Sequence, residues 1–189
     1  AIGPGLARRA VAYAASTFKV ITGAALLEQG ATTLDSETCF SGGGDGFREA
    51  DLTPAPATDA QCLSLRAAMA WSANLYFGRR ADQHLTPAAL QETAERFGFN
   101  MTIPFELPVE PSTARIPEDR LGFTRAAAGF YSTHMSALHG AMIQAAIANG
   151  GEMMVPAIID RIETPEGTVV YQHTPAVWRV AATPEMATQ

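Results

Sequence analysis

The alternation of apolar and polar positions along the chain predicts a mainly helical protein with one β-hairpin. Residues Ser16 to Gln29 form the first helix, and Gly30 stands where a C-terminal cap belongs. Its apolar residues Phe18, Val20, Ile21, Ala24, Ala25, Leu26 and Leu27 lie on every side rather than in one stripe, the mark of a buried helix. Residues 31–61 read as irregular, with SGGGDG (41–46) and TPAPATD (53–59) as loop. The glycine cluster lacks the G-K-[ST] ending of a phosphate-binding loop. Cys62 to Ala70 reads as a short helix, and in WSANLYFGRRA (71–81) a turn passes into another. LTPAALQETAERFGF (85–99) is amphipathic: Thr86 is the N-cap, Pro87 opens the first turn, Leu90, Ala94 and Phe97 share a face, and Gly98 ends the helix. Four prolines make residues 100–119 an extended loop. A further helix spans Ser136 to Ala148 and stops at NGG (149–151). VPAIIDRIE and TVVYQ then flank the turn TPEG (164–167), which gives a hairpin at about 154–172.

Composition narrows the class. The 189 residues suffice for one sizeable domain, and 47% hydrophobic with 17% charged residues is the balance of a globular fold. A formal net charge of −6 without a basic stripe excludes nucleic acid as a partner. No apolar run approaches the ~20 residues of a membrane span, and no charged-then-apolar leader opens the sequence. The start at Ala1 in AIGPG leads us to expect an excised piece whose targeting elements lie elsewhere. Cys39 and Cys62 are too far apart for C-x-x-C redox chemistry and have no partner cysteines for a zinc site. A disulfide between them would stabilise by about 3 kcal/mol and imply an oxidising compartment; two unrelated reduced thiols fit the spacing as well. The four histidines, 84, 134, 139 and 173, show no metal-binding spacing, so neither a metal nor a cofactor is expected.

One residue changes the picture. Of 13 basic residues 12 are arginine, and the single lysine, Lys19, stands in the most apolar helix. A buried ammonium escapes its desolvation cost by a lowered pKa and a neutral amine. Arginine cannot deprotonate in this way, whereas lysine can. Ser16 lies three positions earlier, on the same helical face, at a helix start where free N–H groups favour an oxyanion. A serine beside a potentially neutral amine is the pattern of an activated nucleophile. Ser72 and Asn74 in WSANLYF add a hydroxyl able to pass a proton and an amide able to hold a carbonyl. Taken singly, Ser16 and Ser72 also fit plain N-caps, Asn74 a solvated first-turn residue, and Lys19 a side chain reaching solvent.

Three ordered segments resemble the transpeptidase domain of penicillin-binding proteins. STFKVITGAALLEQG (16–30) resembles its S-x-x-K helix, AMAWSANLYFGRRA (68–81) its S-x-N segment, and MSALHGAMIQAAIANGGEMMVPAII (135–159) its helix ending in A-N-G-G before M-V-P. The separation of 56 positions from Ser16 to Ser72 is similar to the family's. This resemblance implies a serine D,D-transpeptidase that cross-links peptidoglycan stem peptides. Ser16 would be acylated by the D-Ala-D-Ala end or by a β-lactam, with Lys19 as general base. Ser72 would relay the proton to the leaving group, Asn74 would bind the substrate amide, and the Ser16 N–H would form half the oxyanion hole. It also implies an extracytoplasmic site of action, in the periplasm or on the outer face of a bacterial cytoplasmic membrane, with a membrane-anchored parent and partners in cell-wall synthesis or division. In that setting the Cys39–Cys62 disulfide becomes the expected state.

The departures shape the remaining expectations. AAS (14–16) replaces the usual Pro-Gly-Ser, and a K-T-G motif cannot exist in a chain with one lysine. The fold implied is therefore the helical lobe of the α/β β-lactamase/transpeptidase-like fold, truncated before K-T-G with most of its central antiparallel sheet missing, and the 189-residue piece is expected to be weak or inactive alone. Two rivals remain: a serine β-lactamase or D,D-carboxypeptidase, for which only Glu106 and Glu110 offer themselves as deacylating bases, and a non-catalytic β-lactam sensor or pseudoenzyme docking module.

Overall fold

The structure is a computed structural model that describes residues 5–43 and 46–189. Residues 1–4 of the opening Gly/Pro segment, and 44–45 of the glycine cluster, lie outside the described residues. In chain order the elements are β1 (Ala12–Tyr13), α1 (Lys19–Glu28), β2 (Glu37–Phe40), β3 (Gln61–Ser64), α2 (Leu65–Ala70), α3 (Asn74–His84), α4 (Pro87–Arg96), β4 (Thr113–Ala114), α5 (Arg120–Ala127), β5 (Thr133–Met135), α6 (Ala137–Ala148), β6 (Glu152–Met154), β7 (Arg161–Glu163), β8 (Val169–Gln172), β9 (Val177–Val180) and α7 (Pro184–Ala187).

The long helices start and stop where their end chemistry requires. Thr86 and Ser136 accept hydrogen bonds from the N–H groups of Ala89 and His139, as N-caps do. Beyond α1, Gly30 takes φ +63 while its N–H donates to Leu27 O and that of Ala31 to Leu26 O, so two orphan carbonyls are satisfied at once. Gly98, at φ +97, ends α4 by the same device through Glu95 O and Ala94 O.

Short strands are more numerous than the hydrophobic pattern indicates. β1, β5 and β4 form a three-stranded antiparallel sheet in the order β1-β5-β4, and β2–β3, β6–β9 and β7–β8 are antiparallel pairs. Segment 31–61 is thus not wholly irregular, and Cys62 opens no helix: Gln61–Ser64 extends against Glu37–Phe40, and α2 begins only at Leu65. Cys39 and Cys62 face each other in that register and are joined by a disulfide. Residues 100–119 contain β4, tied to the end of α4 by Asn100, whose side chain donates to Ala114 O and accepts from Ala114 N–H. Arg120–Ala127 form a helix the sequence reading did not include, capped by Asp119. The TPEG turn closes β7 onto β8, with Gly167 at φ +83 and its N–H donating to Thr164 O.

Among the described residues, the buried ones fall into two cores. One holds Phe18, Ile21, Leu26, Leu90, Phe97, Phe99 and Ile143 around α1, α4 and α6. The other holds Phe40, Phe47, Leu52, Leu75, Tyr76 and Phe77 between α3 and the β2–β3 pair. α1 packs against both α3 and α4, so its first turn lies on the seam between the cores.

Candidate active site

Helix α1 does not begin at Ser16. Ala15 to Phe18 form a 3₁₀ turn that runs directly into the α-helix at Lys19. The tighter turn has a chemical consequence: at three residues per turn, side chains at i and i+3 eclipse. Ser16 and Lys19 are therefore stacked, and Lys19 Nζ donates to Ser16 Oγ at 2.9 Å.

Lys19 is 1% exposed and hydrogen-bonded on three sides. Besides Ser16 Oγ, its Nζ donates to Asn74 Oδ1 at 2.8 Å and to the Ala128 carbonyl at 2.8 Å. The Phe77 ring lies 5.9 Å from the amine. Burial lowers the lysine pKa from 10.5 to about 8. Because the folded protein holds the proton less tightly than the unfolded chain, this burial costs stability below pH 8, and the cost is relieved as pH rises towards 10.5. Two of the three partners, the Asn74 amide oxygen and the Ala128 carbonyl, can only accept. Once the amine loses a proton, its two N–H groups serve those acceptors and its lone pair faces Ser16 Oγ. A second hydroxyl completes the chain, since Ser72 Oγ donates to Ser16 Oγ at 2.7 Å. Ser16 can thus accept from Ser72 while giving its own proton to Lys19.

All four polar residues named from the sequence meet at one point. Ser72 is not a helix N-cap: it stands at φ +54 between α2 and α3, and Ala73 is the residue that precedes the helix. Five non-glycine residues among those described have positive φ, namely Ala15, Ser72, Asn100, Tyr131 and Ser132. Ala15 and Ser72 belong to the site, and Tyr131 and Ser132 lie in the segment that follows Ala128. Such conformations cost on the order of 1–3 kcal/mol each and persist where surrounding structure fixes them.

Sequence reasoning missed Ala128, because it contributes only a carbonyl and its Ala-Ala-Ala context carries no signal. Glu106 and Glu110 are committed to other contacts. Glu106 accepts from Ile158 N–H, and Glu110 accepts from Ala10 N–H and Arg9 Nε. His139 is buried with its Nε2 2.8 Å from Phe97 O, and His134 packs against the Tyr13 ring.

Known proteins share this arrangement's framework. Residues 7–188 match the family model described as penicillin binding protein transpeptidase domain. The chain is 33% identical over 174 residues to the peptidoglycan D,D-transpeptidase PbpA of Mycobacterium tuberculosis, which covers 86% of this chain and 35% of that protein. The chain therefore spans about a third of the length of this relative. A crystal structure of PBPA from M. tuberculosis superposes with a TM-score of 0.82 at 26% identity, over 99% of this chain and 44% of that one. The imipenem acyl-enzyme complex of penicillin-binding protein A from M. tuberculosis superposes with a TM-score of 0.78 at 28% identity, over 97% and 43% of the two chains.

Proposed function

The chain belongs to the penicillin-binding protein transpeptidase family, and on that premise we propose that it carries the reacting groups of a D,D-transpeptidase, with Ser16 as the acylated nucleophile. The observation that carries this reading is the convergence of Ser16 Oγ and Asn74 Oδ1 on one buried amine, at 2.9 and 2.8 Å from Lys19 Nζ. In the reaction Lys19, neutral, takes the Ser16 proton as Oγ attacks the carbonyl of the penultimate D-alanine of a stem peptide. The Ser16 N–H supports the developing oxyanion. Ser72 relays the proton held by Lys19 to the departing D-alanine amine as the C–N bond breaks, leaving an ester on Ser16 and the lysine neutral again. The amine of a second stem peptide then attacks that ester, forms the cross-link and returns the proton to Ser16. A β-lactam enters by the same first step, its ring amide taking the place of the scissile peptide. Asn74 fixes the lysine and, on this reading, also binds the substrate amide.

The proposal extends to setting. The substrate places the reaction outside the cytoplasmic membrane, with an anchored parent protein and cell-wall synthesis or division proteins as its neighbours. Lys19 is the only lysine, so no K-T-G motif stands opposite Ser16. The second oxyanion donor and the carboxylate site that this motif supplies in the family are then absent from the 189 residues, and acylation by this chain alone is slow. The hydrolytic rival is weakened by Glu106 and Glu110, both held in contacts elsewhere.

Incubation with a fluorescent penicillin and peptide mass spectrometry tests the reading. A slowly formed, persistent adduct on Ser16 that vanishes in Ser16→Ala is expected. An adduct on another residue, or one that survives Ser16→Ala, refutes Ser16 as nucleophile. Rapid release of hydrolysed penicillin identifies a β-lactamase instead. The absence of any adduct, also in a longer protein that includes a K-T-G strand, identifies a non-catalytic module.

A further inference from the structure

The backbone on the far side of the nucleophile is built as closely as the side chains in front of it. The chain leaves α5 at Ala127, and the next carbonyl, Ala128 O, accepts from Lys19 Nζ at 2.8 Å. Gly129 follows at φ +90, pressed so tightly on the peptide between Ala15 and Ser16 that an added Cβ would fall 2.1 Å from Ala15 O, 2.6 Å from Ala15 C and 3.3 Å from Ser16 N. Four residues on, Thr133 O accepts from Ala14 N–H at 3.1 Å, and β5 pairs with β1 through Tyr13↔His134 and Ala12↔Met135. Segment 128–135 therefore clamps the approach to Ser16 at two places, by the β1–β5 ladder and by the Gly129 contact. Between these places the chain bends sharply. Tyr131 and Ser132 have φ +52 and +55, and Thr133 N–H donates back to Tyr131 O at 2.6 Å.

We infer that Gly129 is a positioning residue. It sets the plane of the Ala15–Ser16 peptide, and with it the directions of Ser16 N–H and Oγ, while the carbonyl just before it fixes the lysine amine. One short run of backbone thus aligns base, nucleophile and oxyanion donor together. The left-handed turn at Ala15 (φ +48) is the conformation this contact maintains. Only glycine fits at position 129, for two independent reasons: the positive φ, and the absence of room for a side chain. The consequence for rate rests on the acyl-transfer reading above; the consequence for geometry does not.

The experiment compares Gly129→Ala with Gly151→Ala. Gly151, at φ +93 between α6 and β6, approaches backbone just as closely, since an added Cβ would fall 2.0 Å from Ala182 O. None of the reacting groups lies there, so Gly151→Ala controls for general backbone damage. Lysine labelled with ¹³C at Cε gives one signal, because Lys19 is the sole lysine. That signal, the Ser16 amide signal and the saturating rate of penicillin acylation are the readouts. Gly129→Ala is expected to move both signals and lower the saturating rate about 100-fold, with the penicillin dissociation constant changed less than about threefold. Folded Gly151→Ala keeps both signals and the rate. A folded Gly129→Ala that matches Gly151→Ala in all three readouts overturns the inference. Should Gly129→Ala not fold, Tyr131→Gly/Ser132→Gly keeps the contact atoms but softens the bend that presses them together. It is then expected to shift both signals and slow acylation roughly three- to tenfold, and unchanged signals and rate overturn the inference. Shifted signals in a protein whose wild type takes no acyl group leave the positioning role standing and remove only the transpeptidase reading.

Discussion

The first turn of α1 and the β7–β8 hairpin solve opposite problems with the same backbone chemistry. At the turn, a cation-forming side chain is 1% exposed and three acceptors surround it. In the hairpin every residue of both strands is exposed, among them Ile162 at 45%, Val170 at 61% and Tyr171 at 42%. The hairpin is held by its ladder, its turn and cross-strand pairs such as Ile162↔Tyr171, each of which contributes only a few tenths to about 1 kcal/mol. The Lys19 cluster is held by contacts that arrive from α1, from the turn before α3 and from the end of α5. Where a buried amine draws its partners from distant parts of the chain, their positions are fixed together. Where the ladder is local and wet, the backbone keeps its shape while its side chains stay interchangeable.

The largest break in this contrast is Lys19→Arg. Arginine keeps the charge and the donors but cannot become a base at any accessible pH. Acylation is expected to fall on the order of 10³-fold, the scale of a lost general base. On the proposed mechanism the base is the neutral amine, whose fraction grows as pH rises through about 8. The saturating acylation rate should therefore climb nearly tenfold per unit below pH 8 and flatten above it. Stopped-flow acylation from pH 6 to 10 checks both points: Lys19→Arg should show no such rise, and a flat wild-type profile would contradict the neutral-amine mechanism.

The same contrast explains what could be read from the residues alone. Lys19 was legible because an ionisable side chain within Phe18, Val20 and Ile21 conflicts with burial unless it has a chemical task. Ser16, Ser72 and Asn74 were legible through their spacing to it and to one another. The 3₁₀ start was not, because Ala15 takes its left-handed turn against Gly129, a contact no local pattern encodes. β2 and β3 escaped notice for a related reason: four-residue strands in Gly/Pro-rich surroundings declare themselves only when they pair. The β7–β8 hairpin was visible because its turn and its strands are neighbours in sequence. The β6–β9 pair was not, since its strands lie on either side of the hairpin in sequence.

A smaller effect is expected where the two regimes meet, at the β2–β3 pair. The disulfide closes the 23-residue separation between Cys39 and Cys62, and Arg79 fastens the loop inside it by donating to Cys39 O, Asp51 O and the Asp59 carboxylate. Cys39→Ala/Cys62→Ala is expected to lower unfolding free energy by about 3 kcal/mol in urea titrations, mainly by freeing the unfolded chain. The folded double variant should still acylate within about threefold of the wild type, since Arg79 remains to hold the loop against α3. A loss of acylation as large as that of Lys19→Arg would show that the loop belongs to the long-range network around Lys19 rather than to its border.

The smallest effect belongs to the hairpin, and it tests the contrast from the other end. Val170 is 61% exposed, so Val170→Thr keeps the β-branch and the ladder while changing only the face presented to water. A shift within about 0.5 kcal/mol is expected in urea titrations of the 189-residue chain, as for surface substitutions away from special features. Ile162→Ala, which also removes the contact opposite Tyr171, should cost no more than about 1 kcal/mol. A cost of about 2 kcal/mol or more for Val170→Thr is the scale of an apolar side chain taken out of a packed interior. It would mean that this face is covered in solution, and that the hairpin owes its stability to packing rather than to its turn and ladder.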